Sequence, residues 1–441
     1  MTADIFRVYA YDLNTNVLIT ELPASGLAFD SRLNDSGSIS FTLPISRPDV
    51  ASRVKPLMSY AGNPFAVYVD RNGVIVWGGI IWTWNYSRAS GVLSLGGKEF
   101  LSYFAQRFIA ADYSSSTYPT TTLAANVSAG GTALTVADNT NFVAGETVAI
   151  DTTGTEYRTI LSVSGSTTIN LTAGVTSGHS SGATVKNVVD PATLVKTVVT
   201  DAQNTSLAGP GSNIGVVISG GTSTIPPISP GYSLSQHTSV ANVLKDMASI
   251  NSTGNGTVDS VFTSAWVSGS PVTTLTIWSP RAGRITSASG LIFDLSRVLD
   301  YSWPMDATST GTNIVVTGGG SGITTTVSSS APVGGLGQMP HLDKAVSFTN
   351  VQSQSQLNAM AAGLSTQYGY PVPTPTVVQP TSVIPYLSTF VIGDDARLYI
   401  KSDERFPTGL DEYWRIVQYQ VKVPDEGVPT VTFTFNKPPS Y

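Results

Sequence analysis

The chain has few residues that could hold a metal ion, and their spacing does not favour a metal site. Its three histidines are His179, His237 and His341. None has a second histidine three or four residues away, which is the spacing that places two imidazoles on one face of a helix. His179 lies in a Gly/Ser-rich turn, and His237 precedes a predicted helix cap. We therefore expect no metal site.

Two adjacent acidic pairs come nearest to a catalytic dyad. They are Asp403-Glu404 and Asp411-Glu412, and a pair of carboxylates is what glycoside hydrolysis requires. Neighbouring residues of a strand point to opposite faces, so neither pair forms a dyad by itself. A proline and a glycine lie between the two pairs, which favours solvated turn residues instead.

Other catalytic motifs are missing from the sequence. The glycine-rich runs 318–322 and 334–337 are not followed by Lys-Ser or Lys-Thr, so neither is a phosphate-binding loop. No Gly-x-Ser-x-Gly turn precedes a helix. The seven tryptophans could line a sugar-binding surface, but tryptophan at alternating strand positions is more typical of a core or an interface. We expect a protein that is not an enzyme and has no catalytic residues and no cofactor.

Composition favours a β-rich assembly protein over a mostly helical enzyme. The chain of 441 residues is 41% hydrophobic but only 12% charged, where roughly 25% charged is ordinary. Its net charge of −6 gives no basic footprint for nucleic acid. The absence of cysteine excludes a disulfide scaffold and a thiolate metal site. No basic and apolar leader and no run of roughly 18 apolar residues is present, so we expect neither a signal peptide nor a membrane anchor.

The elements that must position any site are clearest in residues 74–109, which predict strand, turn, strand and helix. Aromatic and aliphatic residues alternate along the first strand, and we expect Ile80, Trp82, Trp84 and Tyr86 to share one face. Gly91 permits the turn, and Gly96-Gly97 is expected to end the second strand. An apolar face at helical spacing then follows, made of Phe100, Leu101, Phe104 and Phe108.

Linker composition and turn spacing divide the chain into four segments of a mainly β protein with a few helices. Residues 1–113 predict an antiparallel β domain with a closing helix. Residues 114–189 predict an inserted small all-β module, although they could also continue the first domain. Residues 190–390 predict a helix-containing middle region with long Gly/Pro/Ser loops. Residues 391–441 predict strands that complete a second β domain.

Three helices are predicted in the middle region. Asp190 and Pro191 suit the N-cap and the first helical position. A second helix is predicted over 240–250, capped by Ser239 or the threonine before it, and a third over 352–366. The Pro-rich run that follows the third helix, residues 370–385, is expected to be extended but not to form a central strand.

Alternation is also clear near the end of the chain, in residues 413–423. One face of this strand is predicted to carry Val417, Tyr419, Val421 and Val423, and the other Ile416, Gln418, Gln420 and Lys422. The spacing hints at an internal repeat, because Trp77 precedes Leu93 by sixteen residues and Trp414 precedes Val431 by seventeen.

Several of these segments together resemble the minor tail proteins of long-tailed phages of actinobacteria, in particular the baseplate hub at the tail tip. The segments are LNDSGS (33–38), FAVYVDRNG (65–73), VWGGI (76–80), LSL (93–95), FLSYF (100–104) with Arg107, GDDA (393–396) and WRIV (414–417). The resemblance implies two β-barrel-like tail-tube domains in each chain, similar to those of the hub in contractile-tailed phages. Three chains would then supply six such domains and continue a six-fold tail tube.

The same resemblance implies function and partners. It implies a structural protein of the virion, located at the tail tip after assembly in the host cytoplasm and present as a homotrimer. Its expected partners are the distal tail protein, the tape-measure protein and other minor tail proteins. DNA would pass through the lumen during ejection without specific binding.

Two other functions stay open at the level of sequence. A tail-associated cell-wall hydrolase would need convergent carboxylates or a metal site, which the residues do not plainly supply. A receptor-binding or carbohydrate-binding tail protein would carry its binding surface on residues 123–188.

Overall fold

The computed structural model of the protein is mainly β, as predicted. The structure describes residues 4–58, 63–114, 116–151, 155–204, 213–250, 256–308, 310–318, 325–329, 340–348 and 371–437, with positions 358, 361, 364–365 and 368–369. The predicted helix over 352–366 therefore lies largely outside the described residues. Two residues in this range, Ala361 and Leu364, are buried in one cluster with Ile314 and Val316.

The first segment is an antiparallel arrangement of seven long strands. Its elements are β1 (Phe6–Tyr11), β2 (Leu18–Leu22), β3 (Ser25–Arg32), β4 (Ser38–Leu43), α1 (Pro48–Met58), β5 (Phe65–Arg71), β6 (Val74–Ser87), β7 (Val92–Glu99) and α2 (Leu101–Ala105). Two predictions here are wrong. Gly96 and Gly97 lie inside β7 rather than at its end, and Phe108 lies beyond α2 with 56% of its surface exposed.

The second segment contains a six-stranded sheet with a core of its own. Its strands are β8 (Thr120–Thr122), β9 (Ala133–Thr135), β10 (Thr147–Asp151), β11 (Thr155–Ser164), β12 (Thr168–Leu171) and β13 (Thr184–Val188). They lie in the order β8-β13-β10-β11-β12-β9 around a cluster of buried residues that all fall between Leu123 and Val185. The chain enters and leaves this sheet at one place, since the N–H of Asn187 donates to the carbonyl of Pro119 at 2.8 Å.

The middle region combines helices with short strands. Its elements are α3 (Pro191–Asn204), β14 (Val217–Gly220), α4 (Val240–Ser249), β15 (Asp259–Val267), β16 (Ser270–Trp278), β17 (Leu291–Asp294), β18 (Asp300–Ser302), β19 (Asn313–Gly318), β20 (Thr325–Ser329) and β21 (Asp343–Phe348), with 3-10 turns at Leu234–Gln236 and Thr286–Ser289. Both predicted caps are confirmed. The carboxylate of Asp190 accepts from the N–H of Thr193 at 2.8 Å, and the hydroxyl of Ser239 accepts from the N–H of Asn242 at 3.2 Å.

The last segment joins the first in one sheet. Its strands are β22 (Thr376–Pro380), β23 (Asp395–Ile400), β24 (Leu410–Val423) and β25 (Thr430–Asn436). The 13-stranded sheet has the order β18-β22-β25-β24-β3-β4-β7-β6-β5-β1-β2, with β23 on β24 and β17 on β23. Because β22 lies between β18 and β25, the prediction that 370–385 holds no central strand is wrong. Three of its prolines precede the strand and Pro380 is the last residue of the strand, so no proline interrupts it.

The sheet contains the same strand order twice. We call β1, β5, β6, β7, β4 and β3 the first unit, and β17, β23, β24, β25, β22 and β18 the second unit. Numbered by their position along the chain within each unit, the strands lie in the order 1-4-5-6-3-2 in both. One difference is that β1 is antiparallel to β5 whereas β17 is parallel to β23. Residues of both units share one hydrophobic core.

Candidate functional site: charged clusters and strand edges

His179 is part of a polar clamp in the six-stranded sheet. It is buried, and its Nε2 lies 2.9 Å from a carboxylate oxygen of Glu156. Burial alone would raise the pKa of Glu156, but the N–H groups of Thr176 and Ser177 and the imidazole of His179 lower it to about 2. Arg158 pairs with the same carboxylate at 2.5 Å. The cluster therefore fastens the turn before β13 to β11.

The other two histidines lie apart from each other. His237 ends a 3-10 turn with a φ of 50°, and its ring contacts that of Phe108 at a centroid distance of 5.5 Å. His341 is exposed, with its Nε2 3.0 Å from Asp343. Among the residues that the structure describes, no group of three or more His, Cys, Asp or Glu side chains is arranged to hold a metal ion.

The two acidic pairs are held by separate partners. Arg397 binds Asp411 through two hydrogen bonds of 2.6 and 2.5 Å, whereas Lys437 lies 2.7 Å from Glu412. The guanidinium lowers the pKa of Asp411. Asp403 accepts hydrogen bonds from the hydroxyl of Tyr301 and from the N–H of Phe406. Asp411 and Glu412 thus serve cross-strand ion pairs, Asp403 holds a turn, and Glu404 is exposed.

The tryptophans lie mostly in cores and between elements. Trp77 and Trp414 are buried in the core shared by the two units. The indole N–H of Trp77 donates to the carbonyl of Asp30 at 2.9 Å. Trp266 donates to the carboxylate of Asp70 at 2.7 Å, which ties β15 to β5. Trp77 and Trp414 are therefore not surface residues, whereas Trp266 is half-buried and Trp278 is 39% exposed.

A cluster of buried charges joins the β15–β16 hairpin to the second unit. We call it the buried charge junction; its members are Asp259, Arg281, Asp394, Asp395 and Arg415, each at most 6% exposed. Asp259 pairs with Arg415, Arg281 with Asp395, and the half-exposed Arg284 with Asp394 at 2.5 Å. The sequence does not indicate these ion pairs, because 110 or more residues separate the two partners of each ion pair.

The electrostatics of the junction follow from its partners. Burial alone would raise the pKa of Asp259, but the charge of Arg415 and a hydrogen bond from Asn34 bring it below its ordinary value. The amide of Asn34 donates to this carboxylate at 2.7 Å, and the N–H of Ala282 donates at 2.7 Å. A buried carboxylate with this many donors stays charged. The junction is therefore a structural link, with each charge compensated.

Strands β6 and β24 are counterparts in the two units, and each carries a bulge at the same place. Both strands have 14 residues. The pairing of β6 with β7 shifts between Ile81 and Thr83, and that of β24 with β25 shifts between Ile416 and Gln418. In both strands, the pairing with the neighbour on the opposite edge stops at the bulge. The pairing of β6 with β5 stops at Ile81, and the pairing of β24 with the 394–400 segment stops at Ile416. The internal repeat thus extends from the strand order to the residue-by-residue pairing of the strands.

The bulges correct two predicted strand faces. Ile416 and Val421 were expected on opposite faces of β24, yet both are fully buried in the shared core, because the extra residue at 417 reverses the alternation. In β6, Ile80 and Trp82 pack on the core around α3 and α4, whereas Trp84 packs on the shared core. The predicted common face of these residues is therefore wrong.

The two tryptophans that suggested the repeat are not counterparts. Aligned on their bulges, the strands match Trp414 with Gly79 and Trp77 with Glu412, although Leu93 and Val431 do match. The nearly equal spacings in the sequence arise because the turns after β6 and β24 differ in length.

The second half of β24 makes the contact between the units. Residues 418–423 pair with β3, from Gln418 opposite Arg32 to Val423 opposite Leu27, on the edge that β23 has left. The corresponding edge of β6, residues 82–87, pairs with no strand among the described residues. In the described part of the chain, the edge of β24 after its bulge is thus paired, whereas the matching edge of β6 is open.

Comparison with known proteins gives no family. No family model matches the chain, and no curated protein matches it. It is similar to solved structures of a tail protein from Neisseria meningitidis MC58 (12% identity, 99% of this chain and 96% of that chain, TM-score 0.49) and of the 43 kDa tail protein of prophage MuSo2 from Shewanella oneidensis (10%, 99% and 97%, 0.49). A third is prophage tail protein gp18 from Listeria monocytogenes EGD-e, at 10% identity with a TM-score of 0.45 over 98% of this chain and 95% of that chain. Within the described residues, no helix has the length and apolar character needed to span a membrane.

Proposed function

We propose that this protein is a structural component of a phage tail, the baseplate hub or minor tail protein that forms a ring at the tail tip. The repeated 1-4-5-6-3-2 strand order carries the proposal. A chain with two matching units can join others head to tail, and three chains supply six units. Such a ring continues a six-fold tube. The same kind of contact between units then occurs once within each chain and once between neighbouring chains.

The surface chemistry supports an assembly role. The chain is only 12% charged, and several charges lie in the buried charge junction instead of on the surface. A net charge of −6 leaves no basic excess that would retain DNA in a lumen. The distal tail protein, the tape-measure protein and other minor tail proteins are the proposed neighbours, and the virion tail tip is the proposed location.

The six-stranded module is proposed as an insertion that stays outside the ring. Its core is formed within residues 123–185, and its two ends meet at Pro119 and Asn187. An insertion of this kind can be added to a host domain without disturbing the host's strands.

Light scattering and negative-stain images of the same fraction test the proposal. We expect a mass about three times 46.2 kDa and particles with a central opening. Gold-labelled antibody against the chain should mark one end of the tail on phage particles whose genome encodes it. Label on the capsid or along the whole tail would overturn the proposal. So would a protein that is a compact monomer in solution and is absent from the phage particles.

A further inference from the structure

The open edge of β6 has a counterpart whose partner is known. Residues 418–423 of β24 occupy the matching position, and they pair with β3 within the chain. At this contact Phe29 and Val421 face each other and are both buried. The fifth strand of the second unit is therefore joined to the second strand of the first unit.

The matching second strand of the second unit is β18, whose outer edge has no paired strand in the part of the chain that the structure describes. β18 pairs with β22 alone among the described strands. The N–H of Thr374 donates to the carbonyl of Pro304 at 3.1 Å, so Pro304 directs its backbone toward the β22 side. Because backbone groups alternate along an antiparallel strand, those of Trp303 and Met305 face outward. The missing N–H of the proline therefore does not block the outer edge.

We propose that residues 83–87 of one chain pair antiparallel with residues 302–306 of the next chain, and that this pairing closes the ring. The proposal rests on the proposed function, because it repeats between chains the contact that β24 and β3 make within a chain. The occupant of each open edge is a second copy of this protein. Addition of a strand to an open edge satisfies backbone groups that are otherwise left to water.

The register follows from rows of paired residues across the two units. Each row starts at the first residue after the bulge and ends at the second strand of the unit. The rows are Thr83, Gly96, Ser40 and Ala28 in the first unit, and Gln418, Thr434, Thr376 and Ser302 in the second. Within the chain, Ala28 pairs with Lys422, four residues after Gln418. Between chains, Ser302 should therefore pair with Ser87, four residues after Thr83.

The side chains at the two edges suit this register. It places Tyr86 opposite Trp303, where Val421 and Phe29 face each other within the chain. Tyr86 is 55% exposed and Met305 is 57% exposed, so the contact would cover apolar surface.

Disulfide cross-linking tests the register, because the natural chain has no cysteine. The variant Ser87→Cys/Ser302→Cys changes two exposed serines, and facing residues of antiparallel strands lie within disulfide range. We expect oxidation to link the chains into a closed species of three. In the control Ser87→Cys/Ser296→Cys, the second exposed cysteine lies six residues away from Ser302 and should give no links. Unchanged thermal unfolding of the reduced variants shows that the fold is intact.

The outcomes separate the pairing from the ring. Rings in the micrographs without cross-links would overturn the β6–β18 pairing and leave the proposed function standing. Cross-linked ladders that exceed three chains without rings would support the pairing and overturn the closed trimer. Neither rings nor links would overturn both. Equal linking in the Ser296→Cys control would overturn the register.

Discussion

Glu99 is a buried carboxyl whose protonation should set the pH dependence of stability. It ends β7 next to the contact between β3 and β24, and it is 7% exposed. Burial raises its pKa to about 8, aided by the charge of Asp30 and opposed by hydrogen bonds from Ser31 and from the N–H of Gly37, the latter at 2.7 Å. The fold therefore holds Glu99 in its protonated form at neutral pH.

The sign and size of the effect follow from linkage. The folded state binds this proton more tightly than the unfolded chain, whose glutamates have an ordinary pKa of 4.5. The stabilisation is therefore complete below pH 4.5 and is lost as the pH rises through about 8. The two pKa values differ by about 3.5, and each unit corresponds to about 1.4 kcal/mol, so the loss is on the order of 5 kcal/mol.

The variant Glu99→Gln removes the titration and keeps an oxygen for the N–H of Gly37. We expect its free energy of unfolding, relative to the natural chain, to increase by about 1.4 kcal/mol per pH unit between pH 5 and 8. Urea unfolding followed by tryptophan fluorescence at one protein concentration measures this. Glu412→Gln, which removes one exposed negative charge, controls for net charge. Parallel curves for Glu99→Gln and the natural chain would refute protonation of Glu99 in the fold.

Three further predictions concern packing and modularity. Arg415→Met should lower the free energy of unfolding by about 3–5 kcal/mol because it leaves a buried carboxylate without its cation. Arg397→Met, at an exposed ion pair, should lower it far less; equal shifts in urea unfolding would contradict this. Replacing residues 120–186 by Gly-Ser should leave the oligomer unchanged by light scattering, and loss of the oligomer would show that the module is part of the ring. Gly290→Ala should lower the free energy of unfolding by about 1–2 kcal/mol, because this residue has a positive φ and no close neighbour. Gly283→Ala should lower it by several kcal/mol more, because its Cβ would lie 2.1 Å from a backbone carbon. Similar melting temperatures for the two variants would disprove the close approach.

Local signals in the sequence predicted local structure well. Asp190 and Ser239 are caps because a short polar side chain can accept from an N–H group two or three residues ahead. The mainly β class followed from alternation over many short runs. These properties depend on residues within a few positions of one another, so the sequence contains nearly all the information that they need.

Properties set by distant neighbours were not predictable in the same way. Gly96-Gly97 was expected to end a strand, but a Cβ at Gly97 would lie 2.5 Å from the carbonyl of Ile80, so glycine allows the bulged strand to approach. Nothing in the alternation of β6 or β24 marks where the bulge falls, since its position depends on where the neighbouring strand ends. The buried charge junction depends on partners far apart in the chain, and no spacing rule identifies them.

The protection of the other strand edges in the sheet supports the proposed ring. At one end β2 contacts α1, and the hydroxyl of Thr20 donates to the carbonyl of Arg53 at 3.1 Å. The edge of β3 is covered by β24. The edge at 82–87 carries no lysine, proline or acidic residue that would discourage pairing. Its bulge does not prevent pairing either, since the matching bulge in β24 directly precedes a paired edge. An edge left without such protection is expected to be covered in the working assembly, and the open edge of β18 has the matching place in the second unit.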